Sequence, residues 1–381
     1  MEKSPSMDED KSRQYARTKR RLWILDLSLT VLFLAGLLAG GLAQTLRSWV
    51  ISRFEPWPLQ VAVYVSALWI LMQLLLLPAD YFGSFTIEHR FNLSNQKLSQ
   101  WFLDYMKKLA LGGTIGLGLV EGLCLLLRRT PGSWWLWATL FWMLWSAFLS
   151  WIGPTLLIPL FYRQTPLKDE TLRRRLEAFV RSCETRVQGI FELNLSTTTR
   201  KANACLCGLG STRRVLVSDT LLNAYPVEEV EVVLAHELGH HRLCHIGILI
   251  VISTLAAGLS SFLVDRAAHR WMGPLGLTGL NDLAVLPLIS FGFLLTGLLF
   301  MPLTQGISRV LEKQADRFAL ERTGNPPAFI ATMQRLAQQN LAEMDPPLWV
   351  EWILYDHPPI RKRIAMAQQL LGGTARTETA R

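Results

Sequence analysis

Four of the chain's seven histidines fall within ten positions, in the stretch VVLAHELGHHRLCH from Val232 to His245. His236-Glu237-Leu238-Gly239-His240 within it is an HExxH pattern on a predicted helix. A helix advances about 100° per residue, so positions i and i+4 lie roughly 40° apart on one face, and His236 and His240 can chelate one ion. Glu237 falls on the same side, close enough to act on a water at that ion. His241 points away by one step and His245 lies well round the helix from His240, so both read as structural or solvated. Five-residue patterns also recur by chance, and the plain alternative is an exposed polar helix face. Two helical turns cannot close a coordination sphere alone.

A third histidine after a glycine, the metzincin continuation, would need Gly and His where Leu243 and Ile246 stand, so it is rejected. The third ligand is then expected to be a carboxylate from another helix, as in His₂Glu zinc sites. The stretch SRVLEKQADRFA offers Glu312 and Asp316 at i and i+4, again on one helix face. The assignment is Glu312 to a single zinc ion per chain. Asp316 goes to the free N–H of a ligand histidine, fixing its tautomer.

The elements that must position these groups follow from hydropathy. Half the residues are hydrophobic, mean hydropathy is positive and charged residues make up 18%, which marks an integral membrane protein. Apolar runs of spanning length occur near Leu22–Leu46, Trp57–Phe82, Leu109–Leu127, Trp134–Phe161, Ile246–Val264 and Leu283–Leu303. Gly153, Pro154 and Pro159 predict an unwound end to the fourth run. Residues 1–21 hold seven Lys/Arg, so the positive-inside rule places the N-terminus in the cytoplasm. An even number of crossings then brings HExxH and the Glu312 segment to that same face. The expected organisation is a cytoplasmic segment 1–21, four spans in 22–161, a first peptidase part 162–245, a two-span hairpin 246–303, a second peptidase part 304–370 and a disordered tail 371–381. The first dozen residues read as disordered too. In the polar parts DETLRRRLEAFVRSCE is an amphipathic helix with Leu172, Leu176, Phe179 and Val180 on one stripe, and FELNLS and RRVLVSD are short strands. The net charge of +9 does not signal nucleic acid, since no basic stripe with interleaved aromatics occurs. The five cysteines are odd in number and scattered, which implies no disulfide framework and a reducing setting.

VVLAHELGHH, SRVLEKQADRFAL, KANACLCGLGSTRRVLVSDTLL, FTIEHRFNLSNQ and YDHPPIRKRI together resemble the type I CAAX prenyl protease family of membrane zinc metallopeptidases. The resemblance runs from about Phe82 to Arg363. It implies a mainly α fold, with membrane helices around a chamber capped by a small α+β thermolysin-like zinc domain. Full-length members have seven spans, one more than the six counted here, the extra one preceding the first. The resemblance further implies that Asn203, with Ala204 beside it, bonds substrate backbone next to the strand Arg214–Val217, whose open edge would pair with an extended peptide. It makes His357 the stabiliser of the oxyanion, with Pro358 holding the ring off any helix, and Arg363 a charge partner within the site. The glycines of CGLGST form no phosphate loop and are expected to let the chain pass close to the metal site.

The function expected is a zinc endopeptidase with Glu237 as general base, embedded in a bacterial plasma membrane with its active site facing the cytoplasm. Its partners would be the bilayer and a peptide or protein substrate, either a prenylated C-terminal CAAX motif or an unfolded membrane segment. An HtpX-type quality-control protease is the nearest alternative, although that family is shorter and lacks the four-span block. A transporter with a metal-binding domain would be expected to carry paired broken helices at the midplane, which are not found.

Overall fold

The computed structural model describes residues 7–185 and 187–378. Helix α1, Met7–Ala39, has 33 residues and is thus about 50 Å long, well beyond the ~30 Å of a hydrocarbon core. Its N-terminal turns therefore stand clear of the membrane. The expected disorder over the first dozen residues is overturned from Met7 onward; residues 1–6 lie outside the described residues. The first apolar run also ends earlier than Leu46. Gly41 takes a left-handed φ of 65°, and the chain restarts as α2, Leu42–Arg53.

Helix α3, Trp57–Tyr81, carries Pro78 near its end and passes through a π-helical turn, Phe82–Thr86, into the short α4, Ile87–Arg90. Helix α5 covers Leu98–Arg129 and α6 covers Trp134–Ile152. The unwound end expected of α6 is present as a π-helical turn at Gly153–Leu157 and a 3₁₀ turn at Ile158–Leu160. The peptidase domain begins with β1, Gln164–Pro166, then α7, Glu170–Ser182, capped by Asp169, and β2, Ile190–Leu193. A hairpin of β3, Ala204–Cys207, and β4, Arg214–Ser218, leads into α8, Asp219–Ala224, and α9, Val227–Arg242. The chain re-enters the membrane as α10, His245–Trp271, and returns as α11, Leu286–Thr323. It ends with α12, Pro326–Asn340, α13, Leu348–Leu354, and α14, Ile360–Glu378. The tail expected to be disordered from 371 is thus helical as far as Glu378, and residues 379–381 lie outside the described residues.

Among the described residues six helices are long and apolar enough to cross a membrane, matching the six runs read from sequence. Three of them bury only 6% of their most apolar window, and two more bury 11%. A close-packed bundle would bury a stripe on every helix, so these helices face open space inside as well as lipid outside. They are tied together at the end away from the peptidase domain, where Ala43, Val50, Tyr64, Leu127, Trp134, Val264 and Val285 share one buried cluster.

In the peptidase domain α9 is the central element. One side packs through Leu234 and Leu238 on the sheet and α7, against Leu176, Val180, Val215 and Val217. The other side packs through Val232 and Ala235 on Ala319, Phe329, Met333 and Ile364. Truncating Leu234 or Leu238 would cost about 2–5 kcal/mol, so this helix is held rigidly. The strand order is β1-β2-β4-β3, with β2 and β4 parallel and the other pairs antiparallel. This corrects the reading of Arg214–Val217 as the open edge. That strand is interior, and the edge beyond it is β3, a four-residue strand too short for its alternation to show; the opposite edge is β1. The CGLGST glycines are corrected too, because they make the hairpin turn. Gly208 sits at φ +94°, and a Cβ there would lie 2.6 Å from the Thr212 carbonyl oxygen.

Candidate active site

His236 and His240 project from α9 toward the C-terminal part of α11, which carries Glu312. Gly239 makes that approach possible: a Cβ would lie 3.1 Å from Cα of Ala315 and 3.2 Å from Cβ of Phe318. Three ligand atoms converge. His236 Nε2 is 3.1 Å from His240 Nε2 and 3.2 Å from Glu312 Oε2, and His240 Nε2 is 3.2 Å from Glu312 Oε1. Ligands at about 2.0–2.1 Å on the corners of a zinc tetrahedron stand roughly 3.3 Å apart, so these separations fit the ion. Glu312 Oε2 is buried and faces ring nitrogens of His236 and His357, each at 3.2 Å, as a carboxylate aimed at a shared cation would be.

The remaining ring nitrogens decide the tautomers. Nδ1 of His236 lies 2.9 Å from Asp316 Oδ1 and donates to it, which leaves Nε2 as a lone pair facing Glu312. Asp316 is fully buried and accepts from Nε of Arg363 at 2.7 Å and from its Nη2. Burial opposes charge on His236, but hydrogen bonds to Asp316 and Glu312 outweigh it and push its pKa up to about 9.

Glu237 sits one residue on from His236, and its Oε2 accepts from the Leu206 amide of β3 at 3.2 Å. Asn203 accepts through its carbonyl from Ser218 on the β4 side. By strand alternation Ala204 and Leu206 therefore present their N–H and C=O groups to the open edge. His357 lies in the turn between α13 and α14, off any helix as Pro358 required. Its Nε2 is 3.2 Å from Glu312 Oε2 and its Nδ1 2.8 Å from Asp356 Oδ1. Loss of water opposes its charge, yet the Asp356 hydrogen bond and the Glu312 charge raise its pKa above the ordinary histidine value. His236, Glu237, Asn203, Ala204, His357 and Arg363 all line one cavity of about 730 Å³ between the peptidase domain and the N-terminal half of α1.

Every residue singled out for the site is thus brought to one place, and His241 is correctly left outside, 3.3 Å from Arg213 Nη1. His245 is a correction, being neither solvated nor remote. It is 1% exposed, its Nδ1 is 2.9 Å from Nδ1 of His240, and its Nε2 is 3.1 Å from Gln314 Oε1. A single helical wheel misplaced it because α9 stops at Arg242. Cys244 then takes a left-handed φ of 57°, and His245 opens the next helix. Asp356 and Gln314 were also missed, and neither lies in a pattern that spacing alone would reveal.

A set of membrane helices around open space, carrying an HExxH domain with a distant glutamate, defines a membrane metallopeptidase. Residues 166–371 match "Peptidase family M48" and residues 4–163 match "CAAX prenyl protease N-terminal, five membrane helices". The chain belongs to peptidase family M48 and is a membrane zinc metallopeptidase. Five helices of 12 residues or more, α1, α2, α3, α5 and α6, fill the N-terminal match, although α2 with 12 is too short to span. The chain is 28% identical to "Uncharacterized metalloprotease YhfN" of Bacillus subtilis over 94% of its own length and 85% of the relative's. It is 27% identical to "CAAX prenyl protease 1 homolog" of Oryza sativa over 81% of its length and 73% of that protein's. The crystal structure of S. mikatae Ste24p shares the fold, with a TM-score of 0.82 at 23% identity, covering 96% of this chain and 89% of that one.

Proposed function

We propose that the chain is an endopeptidase that hydrolyses an extended polypeptide drawn along β3 into the 730 Å³ cavity. The observation that carries this is the convergence of His236, His240 and Glu312 on one point, flanked by Glu237 on the β3 side and His357 on the other. One zinc ion per chain, held by those three residues, would supply Lewis acidity to water and to the scissile carbonyl. Ala204 and the Asn203 side chain hold the substrate backbone at the edge, through main-chain bonds that select conformation more than sequence. Glu237 takes the proton of the attacking water and delivers it to the leaving amine, worth roughly 10²–10⁴ in rate. His357 donates from Nε2 to the carbonyl oxygen as negative charge develops; losing one such donor costs about 10²–10³. Because Asp356 takes the proton on Nδ1, that donation requires the imidazolium form. Asp316 and Arg363 fix the orientation of His236.

Substrate class follows from the relatives and the cavity. Several relatives carry the name CAAX prenyl protease, and Tyr15, Trp23, Met301, Met333 and Leu336 give the cavity an apolar lining with adaptable methionines. A prenylated C-terminal peptide is the proposed substrate, presented on the cytoplasmic face of a bacterial plasma membrane. Unmodified apolar segments are cleaved with lower efficiency, because an apolar pocket discriminates by only about 1–3 kcal/mol per methylene. The N-terminal match favours this over a quality-control protease.

The test is Glu237→Gln, which should keep zinc by metal analysis of the purified chain while losing peptide cleavage. An active mutant overturns the assignment of the base. For substrate, a farnesylated CAAX peptide and an unmodified apolar peptide compete in one tube. Refusal of the farnesylated peptide would favour the quality-control reading.

A further inference from the structure

Helix α1 has two working faces. Tyr15, Lys19 and Trp23 line the peptide cavity, whereas Arg13, Arg17 and Arg21 point the other way into a separate cleft of about 590 Å³. The second face is one stripe, since residues four apart drift only about 40° around a helix. The opposite wall of this cleft is the corner where α3 turns into α4, with Phe82, Ile87 and Arg90. Four arginines from two elements therefore surround it, against a single acid, Asp10, in the lining.

The charges are uncompensated. Neighbouring cations on α1 are paired, Lys19 with Glu88 and Arg20 with Glu343. Arg13, Arg17, Arg21 and Arg90 make no ion pair or hydrogen bond among the described residues. Holding four guanidinium groups around one cleft is unfavourable unless an anion joins them, and a planar guanidinium fork matches phosphate oxygens. The stripe from Arg13 to Arg21 is about 12 Å long at 1.5 Å per residue, room for more than one anionic group. At its membrane end the lining turns apolar through Leu22, Leu25 and Phe82. Leu25 and Phe82 remain 45% and 43% exposed, and Trp23 and Ile24 beside them continue the exposed apolar surface of the α1 span.

We propose that this cleft binds the headgroup of an anionic phospholipid, its phosphate on the four arginines and its acyl chains over Leu22, Leu25 and Phe82. The chemistry recognised is a phosphate, and the apolar end selects the membrane-borne form over a free one. The bound lipid lies one helix away from the peptide cavity, against the far side of the wall formed by Tyr15 and Lys19.

The test uses the full chain in neutral detergent, titrated with a fluorescent phosphatidylglycerol and with phosphatidylcholine of the same acyl chains. Each basic side chain at an anionic surface contributes roughly fivefold in binding. The wild type should therefore prefer the anionic lipid by at least about tenfold, and R13Q/R17Q/R21Q/R90Q should abolish that preference. The four-lysine counterpart, R13K/R17K/R21K/R90K, should keep most of it. R174Q/R181Q/R317Q, which removes cations from exposed helices of the peptidase domain, should leave it intact. If the fourfold glutamine variant does not fold, R17Q alone should lower the preference about fivefold. Glycerol phosphate should fail to displace the lipid at millimolar concentration. No preference in the wild type, full preference in the glutamine variants, or free glycerol phosphate binding as tightly as the lipid would each overturn the proposal.

Discussion

Replacing His245 with alanine should weaken zinc binding without touching a ligand. If Nε2 of His240 faces the ion, its Nδ1 must carry the proton, and its partner among the described residues is Nδ1 of His245 at 2.9 Å. That nitrogen must then accept, so the His245 proton sits on Nε2 and is donated to Gln314 Oε1 at 3.1 Å. One proton assignment satisfies all three residues, and it aims the His240 lone pair at the ion. His245→Ala leaves a buried His240 N–H without an acceptor. An orphaned buried donor costs about 1–3 kcal/mol, and lost partners of ligand histidines typically cost 10–100-fold in metal affinity, about 1.4–2.7 kcal/mol. The two routes agree. Competition with a chelator of known affinity, at fixed pH, would measure it. The expected order is wild type equal to His241→Ala, His245→Ala weaker by about one to two decades, and His245→Asn partly restored because its amide oxygen can accept. Zinc affinity unchanged within twofold in His245→Ala would refute the reasoning, since the His240 N–H would then be satisfied elsewhere.

Glu312→Ala should empty the site outright, seen as lost zinc in metal analysis, because no other carboxylate among the described residues completes the cluster. Zinc affinity of the metal-free chain should rise with pH toward about 9, since ion and proton compete for His236. By linkage, a folded pKa above the unfolded value gives the metal-free chain stability that is fully present below about pH 6.5 and lost as pH rises through about 9; melting of the metal-free and zinc-loaded forms over that window tests the sign. Asp356→Asn should lower the pKa of His357 and move the alkaline limb of the kcat/KM profile to lower pH, whereas a purely structural Asp356 would leave the limb in place. Arg363→Ala should destabilise the fold by about 3–5 kcal/mol in denaturant titration, because it strands the buried Asp316 carboxylate. Cys244 is the exposed cysteine, and in intact cells a membrane-impermeant thiol reagent should leave it unlabelled; external labelling would reverse the orientation.

What could be read in the sequence was whatever repeats with a helical period. His236 with His240 and Glu312 with Asp316 each obey i, i+4 on an unbroken helix, and the structure keeps both pairs on one face. The six spans were legible because lipid demands some twenty apolar residues in a row. What depended on a break in the backbone was not legible. The left-handed residue at Cys244 turned His245 inward, and the one at Gly41 ended the first span early. Sheet order was hidden too, because β1 and β3 have three and four residues, too few for alternation to register. The open edge that the resemblance implied for Arg214–Val217 belongs to β3 instead.

The edge correction changes how the site works. If β4 were the edge, a substrate strand would lie one strand spacing, about 4.8 Å, further from α9, with no contact between strand and base. With β3 outermost, the same edge that would hold the substrate donates the Leu206 amide to Glu237, so strand and base are fixed relative to each other by one hydrogen bond. The third ligand is fixed to both by packing, since α11 meets α9 so closely at Gly239 that a Cβ there would lie 3.1 Å from Cα of Ala315. Helix α11 runs from the membrane to Thr323, with Pro302 inside it, and so joins the sixth span to the segment that carries Glu312. The membrane hairpin is therefore not only an anchor. It follows directly on α9, which carries the two histidines, and it ends in the helix that carries Glu312.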